Sequence, residues 1–180
     1  MFLSPQILDC TLRDGSYLNN FGFTKKNTRE VCATLEKSGI NFIEVGHGIG
    51  LGASRSTKFR AFETDEDYII EAKKSTKKSM IGVFAIPGIA NKDDFYSAKD
   101  NGLDFIRIGI DVNNYKKAFD YINLSKKLKL FTCVNFMKSY AMDSKKFAKI
   151  TNETYKNGAD IIYIVDSAGG MMPKEILEYH

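Results

Sequence analysis

The chain has 180 residues, of which 43% are hydrophobic and 27% charged, and a formal net charge of +4, a balance typical of a globular protein with one core. No apolar run approaches the ~20 residues of a membrane span, and residues 1–10 lack the basic and apolar regions of a signal peptide. The lysines are dispersed, so we expect a solvated surface and no nucleic-acid partner. Cys10, Cys32 and Cys133 are odd in number and widely spaced, which favours reduced thiols and a cytoplasmic location.

Short apolar runs alternate with longer amphipathic stretches along the whole chain. Because each short run is bounded by Gly, Asn or Asp, we predict that these runs are strands. In chain order, the strands are predicted at residues 7–11, 41–46, 80–86, 104–110, 130–137 and 160–165. Helices are predicted between them, at residues 25–39, 65–75, 91–102, 113–128 and 143–158. Thr64 is a predicted N-cap, and a last helix begins near Pro173.

Three predicted helices end at a glycine that shortly precedes a strand: Gly39, Gly102 and Gly158. This repeat predicts βα units, and hence a parallel sheet covered by helices. The spacing fits either a (β/α)₈ TIM barrel or a doubly wound sheet. A barrel has eight strands, so the six predicted strands would form about three quarters of one. We therefore expect residues 1–180 to be a single partial TIM-barrel domain without a linker.

Polar residues follow the predicted strands at the end where ligands bind in βα folds. Arg13 and Asp14 follow the first strand, Glu44 lies within the second, and His47 comes directly after it. A carboxylate such as Asp14 is a hard oxygen ligand for a divalent cation. Arg13 offers paired N–H groups to a carboxylate or an enolate oxygen. A buried Glu44 needs a cationic partner, and we expect Arg13 to be that partner.

The later strands also end in polar residues. Asn135, Lys138 and Ser139 follow the fifth strand, and Asp166 and Ser167 follow the sixth. Each residue by itself also fits an ordinary structural role, such as a loop ion pair or a hydrogen-bonded loop histidine. It is their convergence at one end of the predicted sheet that favours a functional site.

The run DCTLRDGSY, residues 9–17, resembles the first-strand signature of the DRE-TIM metallolyase superfamily. That group includes hydroxymethylglutaryl-CoA lyase, isopropylmalate and homocitrate synthases, and 4-hydroxy-2-oxovalerate aldolase. In its pattern, Arg and Asp end the first strand and Glu comes from the second, and Arg13, Asp14 and Glu44 match these positions. The runs IEVGHGIGLGASRS (43–56) and YIVDSAGGMMP (163–173) are most similar to the 4-hydroxy-2-oxovalerate aldolase branch.

The resemblance implies a TIM barrel that cleaves a 4-hydroxy-2-oxo acid to pyruvate and an aldehyde. It implies a small-molecule 2-oxo acid as substrate and Mn²⁺ or Mg²⁺ as cofactor, with Asp14 as one metal ligand. The expected catalytic residues are Arg13, Tyr17, Glu44 and His47. The expected substrate-binding residues are Ser139, Asp166 and Ser167.

Two features depart from the family pattern. The family's aldolases carry a catalytic His two residues after the Gly of the R-D-G motif, where this chain has Tyr17. An ordinary Tyr has a pKa of ~10, which is too high for a base at neutral pH. The family's remaining metal ligands are an H-x-H pair on the seventh strand, and His47 and His180 are not that pair. We therefore expect a truncated barrel with weak metal binding and poor turnover by itself.

A partial barrel would expose strand edges and apolar surface. We expect self-association or a partner chain to cover them, and the resemblance implies an acylating aldehyde dehydrogenase as one such partner.

Three alternative functions remain open. One is a Claisen-type acyl-CoA synthase of the same superfamily, with Arg55, Lys58 and Arg60 on a loop that binds phosphate. A second is a non-catalytic barrel fragment. A dinucleotide-binding sheet at GHGIGLG is the weakest alternative, because this run follows the second strand rather than the first.

Overall fold

The structure is a computed structural model in which residues 5–55 and 59–179 are described. Strands and helices alternate along the chain, as the sequence predicts. The chain divides into two compact units, Met1–Ile106 and Arg107–His180. In the described ranges, no helix has the length and apolar character that a membrane crossing requires.

In its described part, the first unit contains the strands β1 (Leu8–Asp9), β2 (Phe42–Val45), β3 (Met80–Ala85) and the start of β4 (Phe105–Asp111). β2 pairs with β1 on one side and with β3 on the other, and both pairings are parallel. All four residues of β2 are buried. A strand buried on both faces is usually apolar at successive positions, and Glu44 is the one charged residue in β2.

The α-helices described in the first unit are α1 (Thr11–Asp14), α2 (Lys25–Lys37), α3 (Asp65–Ser75) and α4 (Lys92–Asp100). The three longer helices begin at polar caps. Thr24, Thr64 and Asn91 each accept a hydrogen bond from the backbone N–H three residues further on, which satisfies a donor that the helix leaves unpaired. Short 3₁₀ turns occupy Gly15–Asn19 and Ala53–Arg55.

Two kinds of glycine shape the first unit. Gly39 and Gly102 follow α2 and α4 with φ angles of +84° and +97°, the left-handed geometry that ends a helix and favours glycine. Gly82 lies within β3, where an added Cβ would be 2.2 Å from ring carbons of Phe105. Gly82 therefore lets the Phe105 ring pack against β3, where its centroid lies 5.6 Å from that of Phe42.

The second unit continues β4 and contains β5 (Phe131–Met137) and β6 (Ile161–Ile164), which pair in parallel with Asn135 opposite Tyr163. Its described helices are α5 (Phe119–Lys127), α6 (Ser144–Lys156) and α7 (Pro173–Tyr179). Gly158 follows α6 with a φ of +110°, so all three predicted helix-ending glycines have the left-handed geometry.

The order of the strands distinguishes the two predicted architectures. In the sheet the strands follow one another in chain order, from β1 to β6. A doubly wound sheet reverses its strand order at a switch point, whereas a βα barrel adds each strand next to the previous one. The prediction of consecutive TIM-barrel βα units is therefore confirmed.

Two predicted elements differ from the structure. The first strand was expected at 7–11, but the carboxylate of Asp9 accepts hydrogen bonds from the backbone N–H and the hydroxyl of Thr11, and a helical turn begins there. The predicted helix 113–128 is divided into a 3₁₀ segment, Val112–Ala118, and α5. The boundary lies between Ala118 and Phe119, and the 3₁₀ segment is itself kinked at Asn114, whose φ of −111° is not helical.

A carboxylate at the end of α2 makes a testable contribution to stability. Glu36 accepts hydrogen bonds from the backbone N–H groups of Lys77, Lys78 and Ser79, and these bonds lower its pKa from 4.5 to about 2. Since the folded pKa is the lower one, the stabilisation is complete above the unfolded pKa and is lost as the pH falls from about 4.5 to about 2.

We predict that Glu36→Gln lowers the urea midpoint at pH 7 and that its difference from wild type shrinks steadily towards pH 2.5. Glu30→Gln is the control, because Glu30 makes only a 3.8 Å ion pair with Lys26 on the same helix face. An equal effect of Glu36→Gln at both pH values would contradict the prediction.

Candidate functional site

The guanidinium of Arg13 is the centre of a polar cluster in the first unit. Its Nε donates to Oε1 of Glu44 at 2.7 Å, and its Nη1 donates to Oδ1 of Asp14 at 2.8 Å and to the carbonyl of Gly48 at 3.4 Å. The guanidinium carbon lies 5.0 Å from the ring centroid of Phe84. Nη2 has no hydrogen bond to any residue that the structure describes, so one edge of the guanidinium fork remains available to a ligand.

Glu44 explains why Arg13 is held in this orientation. Glu44 is fully buried in β2, in register with Gly82 of β3. Burying a carboxylate is costly unless a cation and further hydrogen bonds compensate it. Arg13, whose side chain is only 13% exposed, supplies that charge. The predicted pairing of these two side chains is confirmed.

Asp14 is the candidate metal ligand. Its side chain is 66% exposed, and one carboxylate oxygen is bound to Arg13. Hard divalent cations prefer six or more oxygen ligands with several fixed by the protein. Within the described residues, no group of three or more His, Cys, Asp or Glu side chains could hold a metal. Asp14 therefore fits the role of one metal ligand, and the described residues do not form a complete metal site.

Tyr17 lies in the 3₁₀ turn that follows α1, and the Tyr17 residue is 51% exposed. Burial of part of the phenol raises its pKa above 10.0, with the Arg13 charge opposing and the Asp14 charge adding to this effect. The phenol is therefore neutral at pH 7 and carries a proton that it can donate. A raised pKa makes Tyr17 a worse base than an ordinary tyrosine.

His47 is buried, and both of its ring nitrogens are engaged. Nε2 bonds the carbonyl of Phe59, and Nδ1 accepts the backbone N–H of Ile49 at 3.0 Å. These partners define a neutral ring with the proton on Nε2. The imidazole also stacks on Phe21, with ring centroids 4.2 Å apart. Burial lowers the pKa of His47, against the raising effect of the Phe59 carbonyl. In this conformation His47 holds the glycine-rich loop, residues 46–52, and offers no free nitrogen.

The glycine-rich loop is also fixed by contacts that the sequence did not predict. The backbone N–H of Leu51 donates to the carbonyl of Phe84, and that of Gly52 donates to Oδ2 of Asp65, both at 2.8 Å. Asp65 is buried, and desolvation raises its pKa to about 6. An acidic residue in the first turn of a helix is ordinary, so no sequence signal distinguished Asp65.

The predicted basic phosphate loop is largely committed to other contacts. Arg55 makes a bidentate ion pair with Asp94 and also donates to the carbonyl of Ile89. Arg55 and Arg60 do line a surface cavity of about 190 Å³, but the guanidinium of Arg55 is already paired with the carboxylate of Asp94. Lys58 lies outside the described residues.

The second unit contains the predicted substrate-binding serines. Ser139 is fully buried; its hydroxyl donates to the carbonyl of Phe136 and accepts the N–H of Val165. It therefore joins the ends of β5 and β6, and its hydrogen-bonding capacity is used. The hydroxyl of Ser167 accepts the N–H of Lys138 at 3.0 Å. Ser139 and Ser167 thus lie at the same end of this unit.

Asp166 lies in the tight loop that follows β6. Backbone N–H groups of that loop, first that of Met171, lower its pKa. Its Oδ1 is buried without a hydrogen-bond partner in the described part of the chain. Nearby, Lys138 pairs with Asp111 at 3.0 Å. Asp166 is therefore a negatively charged group with one acceptor atom available.

Comparisons with known proteins decide which family this arrangement represents. The sequence model of the HMGL-like family matches residues 4–179, almost the whole chain. The chain belongs to the HMGL-like family. A 4-hydroxy-2-oxovalerate aldolase of Geobacillus genomosp. 3 is 34% identical over 173 residues, which are 96% of this chain and 51% of that protein.

Two further relatives of the HMGL-like chain are informative. An oxaloacetate decarboxylase of Mycobacterium tuberculosis is 29% identical over 175 residues, 97% of this chain and 52% of that protein. The crystal structure of the N-terminal domain of a candidate aldolase from Bacteroides vulgatus is 25% identical, with a TM-score of 0.78, and covers 97% of this chain and 60% of that one. The chain spans about half the length of the curated relatives that it matches.

The buried ion pair of the HMGL-like chain yields a stability prediction. Glu44→Leu removes the buried carboxylate that compensates the largely buried Arg13 and leaves it only the exposed one of Asp14, so we expect the free energy of unfolding to fall by about 3 kcal/mol. Urea denaturation at pH 7 measures it. Glu44→Gln keeps an oxygen acceptor for Nε, and we expect less than half of that loss. A Glu44→Leu protein as stable as wild type would contradict the assigned pairing.

The neutral state of His47 yields a prediction for NMR. Because burial lowers its folded pKa below that of the unfolded chain, its contribution to stability is complete above about pH 6.5 and falls as the pH drops below that value. We expect its ¹⁵N shifts at pH 7.5 to show a single N–H, at Nε2. The urea-unfolded protein is the control and should titrate near pH ~6.5, with the folded protein titrating at a lower pH. A folded protein that titrates at or above the unfolded control, or that carries its single N–H on Nδ1, would contradict the assignment.

Proposed function

We propose that the chain carries the 2-oxo-acid-binding groups of a metal-dependent carbon–carbon lyase. The intact protein would cleave a 4-hydroxy-2-oxo acid to pyruvate and an aldehyde. The observation that carries the proposal is the orientation of Arg13: Glu44 fixes Nε, while Nη2 has no hydrogen bond to a described residue. Such an edge matches the carboxylate and keto oxygen of a 2-oxo acid.

The chemistry requires stabilisation of negative charge. In the cleavage, a general base other than Tyr17 or His47 takes the proton of the 4-hydroxyl, the C3–C4 bond breaks, and the electron pair of that bond moves onto the C2 oxygen as an enolate. The aldehyde leaves, and C3 is then protonated to give pyruvate. A preoriented guanidinium next to C2 stabilises the enolate more than it stabilises the neutral ketone. Arg13 is preoriented because Glu44 restricts it before any ligand binds.

We propose Mn²⁺ or Mg²⁺ as the cofactor and Asp14 as one of its ligands. When bound, such an ion would act as a Lewis acid that polarises the keto oxygen. The exposed carboxylate of Asp14 is of the right chemical type, a hard oxygen donor.

The assignment of the remaining residues follows from their contacts. Tyr17 is a neutral phenol and so a proton or hydrogen-bond donor. Glu44 and His47 are positioning residues, since their polar atoms bind Arg13 and the glycine-rich loop. In the second unit, Asp166 and Ser167 are the candidate ligand contacts, supported by the unpartnered Oδ1 of Asp166.

A second candidate function is decarboxylation of a 2-oxo dicarboxylic acid. Loss of CO₂ from C4 also leaves an enolate on C2, and it needs no base, only a donor that protonates C3. The neutral phenol of Tyr17 favours this reaction, because a neutral phenol can donate a proton to C3 but is a poor base. A relative from Mycobacterium tuberculosis is named oxaloacetate decarboxylase.

We further propose that residues 1–180 belong to one catalytic domain and that the protein is cytoplasmic. In that compartment thiols stay reduced, which suits three cysteines that form no disulfide: Cys10, Cys32 and Cys133. Self-association or a partner chain would cover the apolar side chains that α7 exposes, Ile176 and Leu177. An acylating aldehyde dehydrogenase would suit such a partner, because it consumes the aldehyde product.

The test uses the protein as the cell produces it, with Mn²⁺ and either 4-hydroxy-2-oxopentanoate or oxaloacetate, and follows pyruvate release. We expect pyruvate from at least one acid, and a loss of about 100-fold or more in kcat/KM for Arg13→Lys, because Lys lacks the paired N–H geometry. Lys145→Met, on the exposed face of α6, is the control. Pyruvate from neither acid above the metal-catalysed background would refute the proposal.

A further inference from the structure

An aromatic surface lies beside Arg13 in the first unit. It consists of Tyr17, Phe21 and Phe59, and we call it the aromatic wall. Tyr17 is 51% exposed and Phe59 37% exposed. Their rings meet on Phe21, with centroids 5.3 Å from Tyr17 and 6.1 Å from Phe59, both in edge-to-face geometry. Large aromatic side chains that pack on one another while facing solvent are typical of binding surfaces.

Gly48 connects this wall to the guanidinium. Its carbonyl accepts Nη1 of Arg13 at 3.4 Å. On the side where a side chain would point, an added Cβ would lie 2.8 Å from Cε2 of Tyr17 and 3.1 Å from Cε1 of Phe21. The wall and Arg13 are therefore both in contact with Gly48 in this unit.

The backbone is strained to place the central ring of the wall. Asn20 and Phe21 have φ angles of +53° and +59°, a left-handed region that is uncommon for residues other than glycine and unusual for an aromatic one. The strain is held by specific contacts: the Phe21 carbonyl accepts the N–H of Phe62, and its ring stacks on His47. Strain that persists in this way is concentrated at functional positions.

We propose that the aromatic wall contacts the part of the substrate that leaves as the aldehyde, and selects substrates that carry an aromatic or bulky apolar group there. This inference rests on the proposed function, in which Arg13 holds the 2-oxo-acid end. Tyr17, Phe21 and Phe59 are then specificity-determining residues. An edge-to-face contact with a ligand ring corresponds to about a 3- to 10-fold preference.

The substrate is a better occupant than a second protein because the wall is continuous with the guanidinium through Gly48. The charged edge and the apolar rings together match a small molecule with a polar and an apolar end, as ligand sites commonly do. A protein partner would instead be detected as a change of oligomeric state when the wall is altered.

The test compares kcat/KM for 4-hydroxy-2-oxo-4-phenylbutanoate and 4-hydroxy-2-oxopentanoate in the intact protein. We expect wild type to prefer the phenyl substrate by about 3- to 10-fold, and Tyr17→Leu to remove most of that preference. Tyr17→Phe keeps the ring and should keep the preference. Tyr96→Leu is the matched control, because Tyr96 is 48% exposed on α4. Phe59→Leu is the second variant if Tyr17→Leu does not fold.

A calorimetric arm separates this inference from the proposed function. 4-Phenyl-2-oxobutanoate and 2-oxopentanoate are compared as non-cleavable ligands, so a result is obtained even if neither substrate yields pyruvate. The inference is supported if wild type binds the phenyl ligand more tightly than 2-oxopentanoate and Tyr17→Leu removes that difference in affinity. The inference is overturned by equal binding of both ligands, by an equal loss with both substrates in Tyr17→Leu, or by a change of oligomeric state in place of selectivity.

Discussion

The structure depends most on one buried ion pair, between Arg13 on the turn after β1 and Glu44 within β2. A carboxylate in the middle of a fully buried strand would destabilise the first unit if it were unpaired. The guanidinium that compensates it is thereby fixed in one orientation, with the Gly48 carbonyl and the Phe84 ring on its other sides. The cost of burying the carboxylate is offset by a cation whose remaining edge is preoriented for a ligand.

The glycine-rich loop lies beside this fixed guanidinium and is itself held in one conformation. Two buried polar side chains hold the backbone of this loop: His47 binds the Ile49 N–H and the Phe59 carbonyl, and Asp65, from α3, accepts the Gly52 N–H. The resulting site contains donors and charges but no free base among Tyr17 and His47. It is organised to stabilise developing negative charge, which is the main requirement of both the aldol cleavage and the decarboxylation.

Much of this architecture could be predicted from local sequence. Apolar runs between Gly and Asn boundaries located the strands, and Gly39, Gly102 and Gly158 located helix ends, because both patterns act over a few residues. The pairing of Arg13 with Glu44 was predicted because a buried carboxylate has few alternatives. The turn at Thr11 was missed because a local hydrogen bond from the Thr11 N–H to the Asp9 carboxylate competes with strand pairing.

The uses of His47, Arg55 and Phe21 could not be predicted, because each depends on a partner set by the tertiary fold. Arg55 is occupied by Asp94, 39 residues further along the chain. Phe21 is four residues after Tyr17, a spacing that would place two side chains on one helical face, and this was the one available signal of the aromatic wall. Its left-handed backbone is not encoded by any glycine.

A crystal structure with bound pyruvate would show how Arg13 meets its ligand. We expect the pyruvate carboxylate to contact the Nη2 edge of Arg13 while Nε stays on the buried carboxylate of Glu44. Pyruvate bound away from Arg13, or a guanidinium turned away from Glu44 in the complex, would contradict this expectation.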